Sequence, residues 1–443
     1  MALISIREYG KIHVGEAFEP TRPSLSVAQG DSLANLKPIY GFDVFTYVNR
    51  TTISAQQYVG VFQLGKHTVE VLPKVDGDDM SVRRNLVGML AATRDLAISE
   101  GDIAHVANQS HGILEILIKL FCDKLFAQIH RGLVKRYERR EANLTVLRGR
   151  LGIAEQVRLN AANPERLFCR FDEFQEDNPL NQVLRAAVRL LLGAARSLNN
   201  QRQLAELLLV FEGVSDCPHA LLPWHRIVFD RQSDRYKPCF KLAELFLRKT
   251  PPDVSSGRAQ GFSLFFDMNT LFEEYIGRTV QRVFAPLGGQ VRLQAPQGHL
   301  AFDVRSHRHA FALKPDAICY RDSKIEWILD TKWKELSVDE AKDGVAQSDM
   351  YQMHGYAHSY HCSNVVLLYP HHRNLGPSIG VRNIYRLQPS PTIMAGRETQ
   401  KYVRVATIDL TDLKTVSQQL RELFSIAATD GETSTTELAA LLS

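Results

Sequence analysis

The sequence predicts a multidomain α+β protein with a β-rich N-terminal domain, a helical middle and a C-terminal α/β core built on a mixed sheet. Its 443 residues exceed the ~100–200 residues of one ordinary domain. Apolar residues alternate with a period of two up to about residue 80 and recur at helical spacing from about residue 81. After residue 262 the order is helix, three strands, helix and strand, which is typical of a mixed α/β core.

The first domain, residues 1–80, contains β-type runs separated by turn residues. The runs are ISIREYGKIHV, YGFDVFTYVN and YVGVFQLGKHTVEVLPKV. They predict a strand-rich module without a long helix.

GVFQLGKHT, residues 60–68, has the G-x-x-x-x-G-K spacing of a phosphate-binding loop. That loop needs Ser or Thr after the lysine to place a hydroxyl on Mg²⁺, but His67 stands there, and the following VEVLPK is strand-like instead of helical. A β-hairpin that turns at Leu-Gly-Lys-His explains the stretch better. We therefore expect this chain alone to bind no nucleotide.

The middle domain, residues 81–255, is predicted from apolar residues at helical spacing. The runs are RRNLVGMLAATRDL, HGILEILIKLFCDKLFAQIHRGLVKRY, NPLNQVLRAAVRLLLGAAR, RQLAELLLVFEGV and KLAELFLRK. TPPDVSSGRAQG then has the composition of a loop or linker, which places a boundary near residues 250–262.

The third domain, residues 262–426, begins with the amphipathic helix DMNTLFEEYIGRTVQRVF, for which Asp267 or Asn269 is the expected N-cap. Strands are predicted at 290–295, 311–320 and 325–331, followed by a helix at about 344–360 and the strands NVVLLYP and KYVRVATIDL. The tail, residues 427–443, is polar and Thr-rich before ELAALLS, and we expect it to be partly disordered.

Composition excludes several classes of protein. The chain is 44% hydrophobic and 23% charged, without a run of ~18 apolar residues that could span a membrane or an N-terminal export signal. The six cysteines are scattered without a CxxC pair, which argues against a disulfide framework or zinc ribbon and favours the cytoplasm.

A basic stretch stands out against a formal net charge of only +4. HRGLVKRYERREANLTVLRGR, residues 130–150, could neutralise DNA phosphates. An equally weighted alternative is a solvated helix face whose charges form ion pairs at spacings of three and four residues. The candidate DNA-binding residues there are Arg136, Arg139, Arg140, Arg148 and Arg150.

The strongest chemical signal lies in LKPDAICYRDSKIEWILDTKWKEL, residues 313–336, where a Pro-Asp and an Asp-Thr-Lys mark two neighbouring strands. Because side chains alternate along a strand, Asp330 and Lys332 face the same way. Mg²⁺ accepts oxygen ligands from one or two carboxylates, so Asp316 and Asp330 are the expected ligands, joined by the carbonyl of Thr331. Lys332 would lie beside the attacking water, with a pKa lowered by burial and the metal.

Two further elements could complete this site. Glu273, on the helix before the strands, is a candidate third metal ligand, although a Glu-Glu pair is often only a solvated helix face. Gln352, a candidate catalytic residue, and Tyr356, a candidate DNA contact, are four apart and share one face of the next helix. The alternative is structural: D-x-K at a strand end can be an edge-protecting ion pair, and Pro-Asp is a common turn dipeptide.

Histidines give weaker signals. His307 and His309 fall between strands, where we expect a hairpin turn, and His371 and His372 follow a strand in a loop. Neither pair has further Cys or His at zinc-ligand spacing. The sequence shows no pattern that would indicate a Ser-His-Asp triad.

LFEEYI, KPDAICY, ILDTKWK and the Q-x-x-x-Y helix together resemble the PD-(D/E)xK nuclease superfamily, and YVGVFQLGKHTVEVLPKV, LTVLRGRL and FCRFDEFQEDNPLNQVLRAAV resemble its McrC family. The resemblance covers most of the chain and implies a PD-(D/E)xK core in residues 262–426. It implies Asp316, Asp330 and Lys332 as the catalytic set, and Glu273 less securely. The middle and the C-terminal extension are longer than in compact members of the family.

The resemblance also implies a function. It predicts a Mg²⁺-dependent endonuclease, with Mn²⁺ able to substitute, that cuts double-stranded, modified DNA in a 5-methylcytosine-type restriction system. The implied partner is a McrB-like AAA+ GTPase or ATPase ring that the N-terminal region contacts and stimulates.

Two other functions compete with this one. A regulatory adaptor would mainly activate the ring, but the intact Asp316, Asp330 and Lys332 argue against an inactive core. A stand-alone exonuclease or junction-resolving enzyme could share the Q-x-x-x-Y helix, but the McrC-like N-terminal half argues against it.

Overall fold

The computed structural model describes residues 2–15, 24–65, 67–107, 112–249, 262–294, 298–388 and 400–429. The chain forms two compact units, each assembled from separate stretches of sequence. The first unit comprises residues 1–4, 61–70 and 95–264, and the second comprises residues 5–60, 71–94 and 265–443. In the described stretches no helix is long and apolar enough to cross a membrane.

Nineteen strands and twelve α-helices occur in these stretches. The strands are β1 (Ala2–Arg7), β2 (Lys11–Val14), β3 (Ser24–Leu25), β4 (Phe45–Asn49), β5 (Thr52–Ala55), β6 (Tyr58–Leu64), β7 (His67–Leu72), β8 (Arg136–Leu144), β9 (Arg150–Leu151), β10 (Leu167–Gln175), β11 (Ser263–Asp267), β12 (Gln290–Leu293), β13 (Gly298–Asp303), β14 (Arg308–Leu313), β15 (Ala317–Arg321), β16 (Lys324–Thr331), β17 (Asn364–Pro370), β18 (Gly380–Arg386) and β19 (Tyr402–Ile408). The helices are α1 (Val27–Ala34), α2 (Lys37–Tyr40), α3 (Asp79–Thr93), α4 (Glu100–Ala107), α5 (Ile113–Ile129), α6 (Ile153–Asn160), α7 (Pro179–Ala194), α8 (Leu198–Val210), α9 (Lys237–Lys249), α10 (Met268–Phe284), α11 (Gln347–Ser359) and α12 (Val416–Thr429).

The predicted strand-rich start is confirmed, including the hairpin at the false phosphate loop. β6 and β7 are neighbours in a four-stranded sheet of order β1-β7-β6-β11, and the chain turns between Leu64 and His67. A strand instead of a helix follows the glycine-lysine pair, so the backbone amides of a helix N-terminus are not available there. A second four-stranded sheet has the order β3-β2-β5-β4.

The first unit contains the helices α4 to α9. On α7 and α9 the buried face is mostly apolar, as helical spacing predicted, and Asn178 caps α7 by accepting a hydrogen bond from the Asn181 amide. The same unit contains a three-stranded sheet of order β8-β10-β9 that the sequence did not predict.

The helical alternative for the basic stretch 130–150 is wrong. α5 ends at Ile129, and Gly132 (φ +91°) follows in the left-handed conformation that favours glycine and terminates helices. The arginines beyond it lie on or beside β8 and β9, paired antiparallel with β10.

The second unit contains a six-stranded sheet of order β12-β15-β16-β17-β19-β18. β15 runs antiparallel to β12 and β16, whereas β16, β17 and β19 are mutually parallel, so the predicted mixed sheet is confirmed. The helix α11 packs on one face beside Ile318 and Ile328, and Phe424 of α12 meets Trp327 on the other. Asp267 caps α10, as predicted.

Several sequence boundaries change in the second unit. The strand predicted at 311–320 is two strands, because β14 ends at Leu313 and β15 begins at Ala317, with Pro315 between them. β13 and β14 form a hairpin whose turn contains His307, while His309 lies on β14. α12 extends to Thr429, and residues 430–443, like most of the 250–262 boundary, lie outside the described residues.

Candidate active site

One edge of the six-stranded sheet brings the two predicted aspartates together. Ala317 of β15 pairs with Leu329 of β16 in antiparallel register, so the start of β15 and the end of β16 lie at the same edge. Asp316 Oδ2 accepts hydrogen bonds from the Thr331 backbone N (2.6 Å) and from Thr331 Oγ1 (2.7 Å). The Thr331 side chain, which the sequence analysis did not use, therefore orients Asp316.

Asp330 and Lys332 face the same way, as the alternation along the strand predicted, and they form an ion pair, which the structural alternative also expected. The Lys332 Nζ lies 2.7 Å from Asp330 Oδ2. Asp330 is only 2% exposed, whereas Lys332 remains partly accessible. A charged carboxylate so deeply buried needs a cationic partner, and here that partner is adjacent in the same motif.

The predicted helix α11 supports this pair through a chain of hydrogen bonds. Lys332 Nζ donates to Gln352 Oε1 (2.9 Å), and Gln352 Nε2 donates to the Tyr356 hydroxyl (2.6 Å). The Tyr356 hydroxyl donates to the Lys314 carbonyl (3.0 Å), two residues before Asp316. The Q-x-x-x-Y spacing thus joins both halves of the site. Tyr356 is 1% exposed, so its position does not support the predicted contact with DNA.

Glu273 reaches the same edge from α10. Gln294, at the end of β12, donates its side-chain amide to Glu273 Oε1 and accepts a hydrogen bond from Lys314 Nζ (3.2 Å). Glu274 instead pairs with Arg94, which separates the roles of the two adjacent glutamates. Gln294 and Lys314 were not predicted as site residues, and only the placement of Lys314 beside Pro-Asp in the sequence pointed to either.

Crowding of acids at this edge changes their ionisation. Burial, and then the charge of Glu273, raises the pKa of Asp316 above its ordinary value. Burial, and then the charge of Asp316, raises the pKa of Asp330, while Lys332 partly offsets the rise. Three carboxyl groups with one ammonium leave excess negative charge, which a cation would stabilise.

A lowered pKa was expected for Lys332 from partial burial together with a bound metal, and the lowering by the metal stays a prediction. Burial does lower the pKa of this ammonium, but the carboxylates of Asp330, Asp349 and Asp316 outweigh burial, and the pKa rises. Lys332 is therefore a positively charged hydrogen-bond donor. Its charge is held in place by Asp330 and Gln352.

The residues at this edge fit Mg²⁺ in chemistry. Carboxylate and carbonyl oxygens are the ligands that this hard cation prefers, and it commonly uses one or two carboxylates and retains waters. Across the described part of the chain, no three Asp, Glu, His or Cys side chains already converge as a metal cluster. Asp316 and Asp330, with the carbonyl of Thr331, would thus make up a sparse, water-rich site, with Glu273 beside it.

A buried carboxylate outside the predicted set supports the Asp-Thr-Lys strand. Trp333, one residue after Lys332, donates its Nε1–H to both oxygens of Glu8 (3.0 Å each), and the Lys74 amide also donates to Glu8 (3.0 Å). Burial raises the pKa of Glu8 to about 7. No sequence signal links residue 8 to residue 333, since 325 positions separate them.

The arginines predicted to bind DNA are mostly engaged within the first unit. Arg140 and Arg148 both pair with Glu173, at 3.2 and 3.1 Å, and Arg136 lies 3.5 Å from Asp230. Arg139 and Arg150 are exposed. Their contact with DNA stays a prediction.

A family model described as "McrBC 5-methylcytosine restriction system component" matches residues 53–370 of the chain. The match covers well over half of the sequence and includes the residues of the edge described above. Glu8, which supports that edge from the N-terminal region, lies outside the match. The chain belongs to this McrBC family. The family resemblance predicted from the sequence motifs is thereby confirmed.

Two solved structures have a similar fold. A refined half-complex from the tetradecameric assembly of Thermococcus gammatolerans McrB AAA+ hexamers with bound McrC contains a chain of TM-score 0.72, 19% identical, that covers 96% of this chain and 100% of its own. The Thermococcus gammatolerans McrBC complex contains one of TM-score 0.51, 22% identical, that covers 64% of this chain and 88% of its own. No curated protein matches significantly. At these identities the similarity establishes the McrBC-type fold.

Proposed function

We propose that this chain is the Mg²⁺-dependent endonuclease subunit of a McrBC-like restriction system. It hydrolyses phosphodiester bonds in double-stranded, modified DNA. It acts together with a McrB-like AAA+ NTPase ring and stimulates hydrolysis by that ring.

The observation that carries the proposal is the Asp316, Asp330 and Lys332 edge. Two buried carboxyl groups with raised pKa, and one ammonium 2.7 Å from Asp330, are costly to the folded protein. Groups of this kind are typical of sites that serve chemistry. The same residues stand at PD and D-x-K spacing on antiparallel neighbours. Membership of the McrBC family supports a nuclease function. The proposed PD-(D/E)xK assignment adds the type of nuclease.

In this mechanism each side chain has a separate task. Asp316 and Asp330, with the Thr331 carbonyl and Glu273, would hold Mg²⁺, which neutralises phosphate charge and acidifies a water when bound. Mn²⁺ has the same preference for oxygen ligands and is expected to substitute. Lys332 donates a hydrogen bond and positive charge toward the phosphate and its attacking water. Gln352 and Tyr356 hold Lys332 and the Lys314 backbone in register.

The partner is proposed from the comparisons. The similar chain of the Thermococcus gammatolerans half-complex comes from an assembly of McrB AAA+ hexamers with bound McrC. The β6–β7 turn does not have the features of a phosphate loop, so nucleotide hydrolysis would come from the ring.

The testing experiment is cleavage of methylated and unmethylated plasmid with Mg²⁺ and GTP or ATP, by this chain alone and with its AAA+ partner. The variants are Asp330→Ala and Lys332→Ala, and the matched control is Lys334→Ala. Lys334 is two residues further along the chain, on the other side of Trp333, and pairs with Asp349 (3.0 Å) at a half-exposed position.

We expect cutting that requires the partner and a nucleotide, is abolished in both variants and survives in Lys334→Ala. NTPase stimulation should survive in all three. If both variants cut like the wild type, the edge is structural and the chain is an adaptor for the ring.

A further inference from the structure

The β13–β14 hairpin leaves the sheet at the same edge as the candidate active site. β12 pairs antiparallel with β15, so its last residue, Leu293, lies opposite Ala317, and the Gln294 amide bonds the Asp316 carbonyl (3.1 Å). The hairpin follows this point in the chain and returns at Leu313, three residues before Asp316. Both of its ends are therefore close in sequence to the catalytic strands.

The base of the hairpin is anchored to α11. The Tyr360 hydroxyl donates to the Leu313 carbonyl (2.6 Å) and accepts from the Gly298 amide (3.1 Å). A Cβ on Gly298 would lie 3.2 Å from the Tyr360 ring, so this close approach favours glycine. The helix that holds Lys332 through Gln352 thus also holds the hairpin.

Beyond its base, the hairpin is exposed along its length, from residue 299 to residue 309. Four apolar side chains are each more than half exposed, although Leu313 at the base of the same ribbon packs against the core. They are Leu300, Phe302, Val304 and Phe311. Phe311 also has φ +58°, an uncommon backbone conformation for a bulky residue and one that tends to occur at functional sites.

Most polar side chains of the hairpin belong to arginine or histidine. Arg305 and Arg308 are exposed, and the His309 ring contacts the rings of His299 and Phe302 at 4.9 and 5.5 Å between centroids. The hairpin's one carboxylate, Asp303, accepts hydrogen bonds within the turn from the Arg305 amide and from Ser306.

We propose that the β13–β14 hairpin is a DNA-contacting arm that seats the duplex against the Asp316–Asp330 edge. Arg305 and Arg308 meet phosphates, and Phe302 with the adjacent imidazoles meets the groove. A two-stranded ribbon fits the major groove of B-DNA, and Arg side chains with exposed aromatic rings are suited to phosphates and bases. The inference rests on the proposed nuclease function and adds the element that holds its substrate.

Position and charge favour DNA over other occupants. The arm begins beside Asp316, so a duplex whose scissile phosphate reaches Asp316 comes close to the base of the arm. A second copy of this chain would bring two arms of equal positive charge together, which is unfavourable.

The test measures binding of a short fluorescent duplex by the full-length chain and by its complex with the AAA+ partner, with Ca²⁺ in place of Mg²⁺ over a series of salt concentrations. The variants are the double change Arg305→Ala with Arg308→Ala, and Phe302→Ala. The control, Lys324→Ala, removes one positive charge from the turn at the far end of β16. Melting temperature and NTPase stimulation report whether each variant folds.

The double variant should reduce the slope of log affinity against log salt by roughly 2, about 1 for each phosphate that an arginine no longer neutralises. Phe302→Ala should weaken binding without changing the slope, and Lys324→Ala should bind like the wild type. In Mg²⁺, both arm variants should cut more slowly through a higher KM.

Folded arm variants that bind DNA like the wild type, or a wild type that binds no duplex, would overturn the inference. So would a variant that keeps DNA binding but changes the sedimenting mass, since the arm would then join copies of the chain. Normal cleavage by the arm variants refutes the DNA-contacting role of the arm and leaves the proposed nuclease function standing. Duplex binding that depends on the arm, without cleavage by the wild-type complex, refutes the nuclease and leaves the arm standing.

Discussion

Two charged regions of this molecule differ in how their charges are balanced. On the β8–β10 sheet of the first unit, arginines and glutamates meet at the surface, and Glu173 alone pairs with both Arg140 and Arg148. At the sheet edge of the second unit, Asp316, Asp330 and Glu273 lie near one another, Lys332 pairs with Asp330, and the pKa values of both aspartates are raised. The region with more charges in the sequence is the one in which most of them form ion pairs at the surface.

The difference shows which charges can do chemistry. Exposed ion pairs are weak and screened by salt, so they contribute little to the free energy of folding. Buried and unbalanced carboxyl groups are costly, and a fold retains them where a ligand offsets the cost. Counting charges along the sequence favours the first region, whereas burial favours the second, and the experiments below distinguish the two.

The largest expected effect comes from Asp330→Ala, which leaves the partly buried ammonium of Lys332 without its partner and removes a proposed metal ligand. We expect plasmid cleavage to fall by at least about a thousandfold, since one charge-stabilising group alone can contribute that factor. Cleavage is measured with the AAA+ partner present. Near-normal cutting by a folded Asp330→Ala variant would remove the basis for contrasting the two regions.

Lys332→Ala follows, with an expected fall of about a hundredfold or more in kcat, because the variant has no donor to the phosphate and its water. Lys334→Ala should retain wild-type kcat. Single-turnover cleavage with saturating complex separates this effect from binding. Equal decreases in the two lysine variants would mean that general positive charge, not position, matters at this edge.

Gln352→Ala should have a smaller effect, because the residue positions Lys332 without reaching the phosphate itself. We expect a fall in kcat of roughly tenfold with little change in KM. Gln352→Glu retains the oxygen that accepts from Lys332 and should recover part of the rate. The comparison of the two variants, measured in the same cleavage assay, distinguishes positioning from simple packing.

Local sequence spacing was enough to predict which side chains lie together at this edge, and long-range contacts were not predictable from it. The alternation along β16 placed Asp330 beside Lys332, and the four-residue spacing on α11 placed Gln352 with Tyr356, because strand and helix geometry fix such neighbours. Glu8 and Trp333 meet only through tertiary packing. The β8 strand was mistaken for a possible helix because charged residues on an exposed ribbon show no apolar period of two.

Glu8 differs from both charged regions, because this buried carboxyl group accepts hydrogen bonds from neutral donors, the Trp333 indole and the Lys74 amide. Its pKa of about 7 lies above the value of 4.5 for an unburied glutamate, so the folded state holds the proton more tightly than the unfolded state. The contribution of Glu8 to stability therefore falls as the pH rises from about 4.5 to about 7, and stays low above it. Asp316 and Asp330 act in the same direction, so only the difference between wild type and variant isolates Glu8.

Glu8→Gln should remove this part of the pH dependence. Between about pH 4.5 and about pH 8 the wild type should become less stable by up to roughly 3 kcal/mol relative to Glu8→Gln, from about 1.4 kcal/mol per pKa unit. Urea unfolding at the two pH values measures the difference. A constant difference between the two proteins would show that the pKa of Glu8 is the same in the folded and unfolded states.

The smallest effect is expected where the arginines are most numerous. Arg140→Ala and Arg148→Ala each remove one exposed pair with Glu173, worth about 0.2–1 kcal/mol of stability, and should hardly change duplex affinity. Glu173→Gln provides the sharper experiment, since it leaves both guanidinium groups in place without their shared carboxylate. If these arginines can reach DNA at all, Glu173→Gln should strengthen duplex binding and steepen its salt dependence. A slope that steepens would restore the predicted DNA-binding role of this sheet and show that its own glutamate restrains it, whereas an unchanged slope would leave the duplex to the second unit.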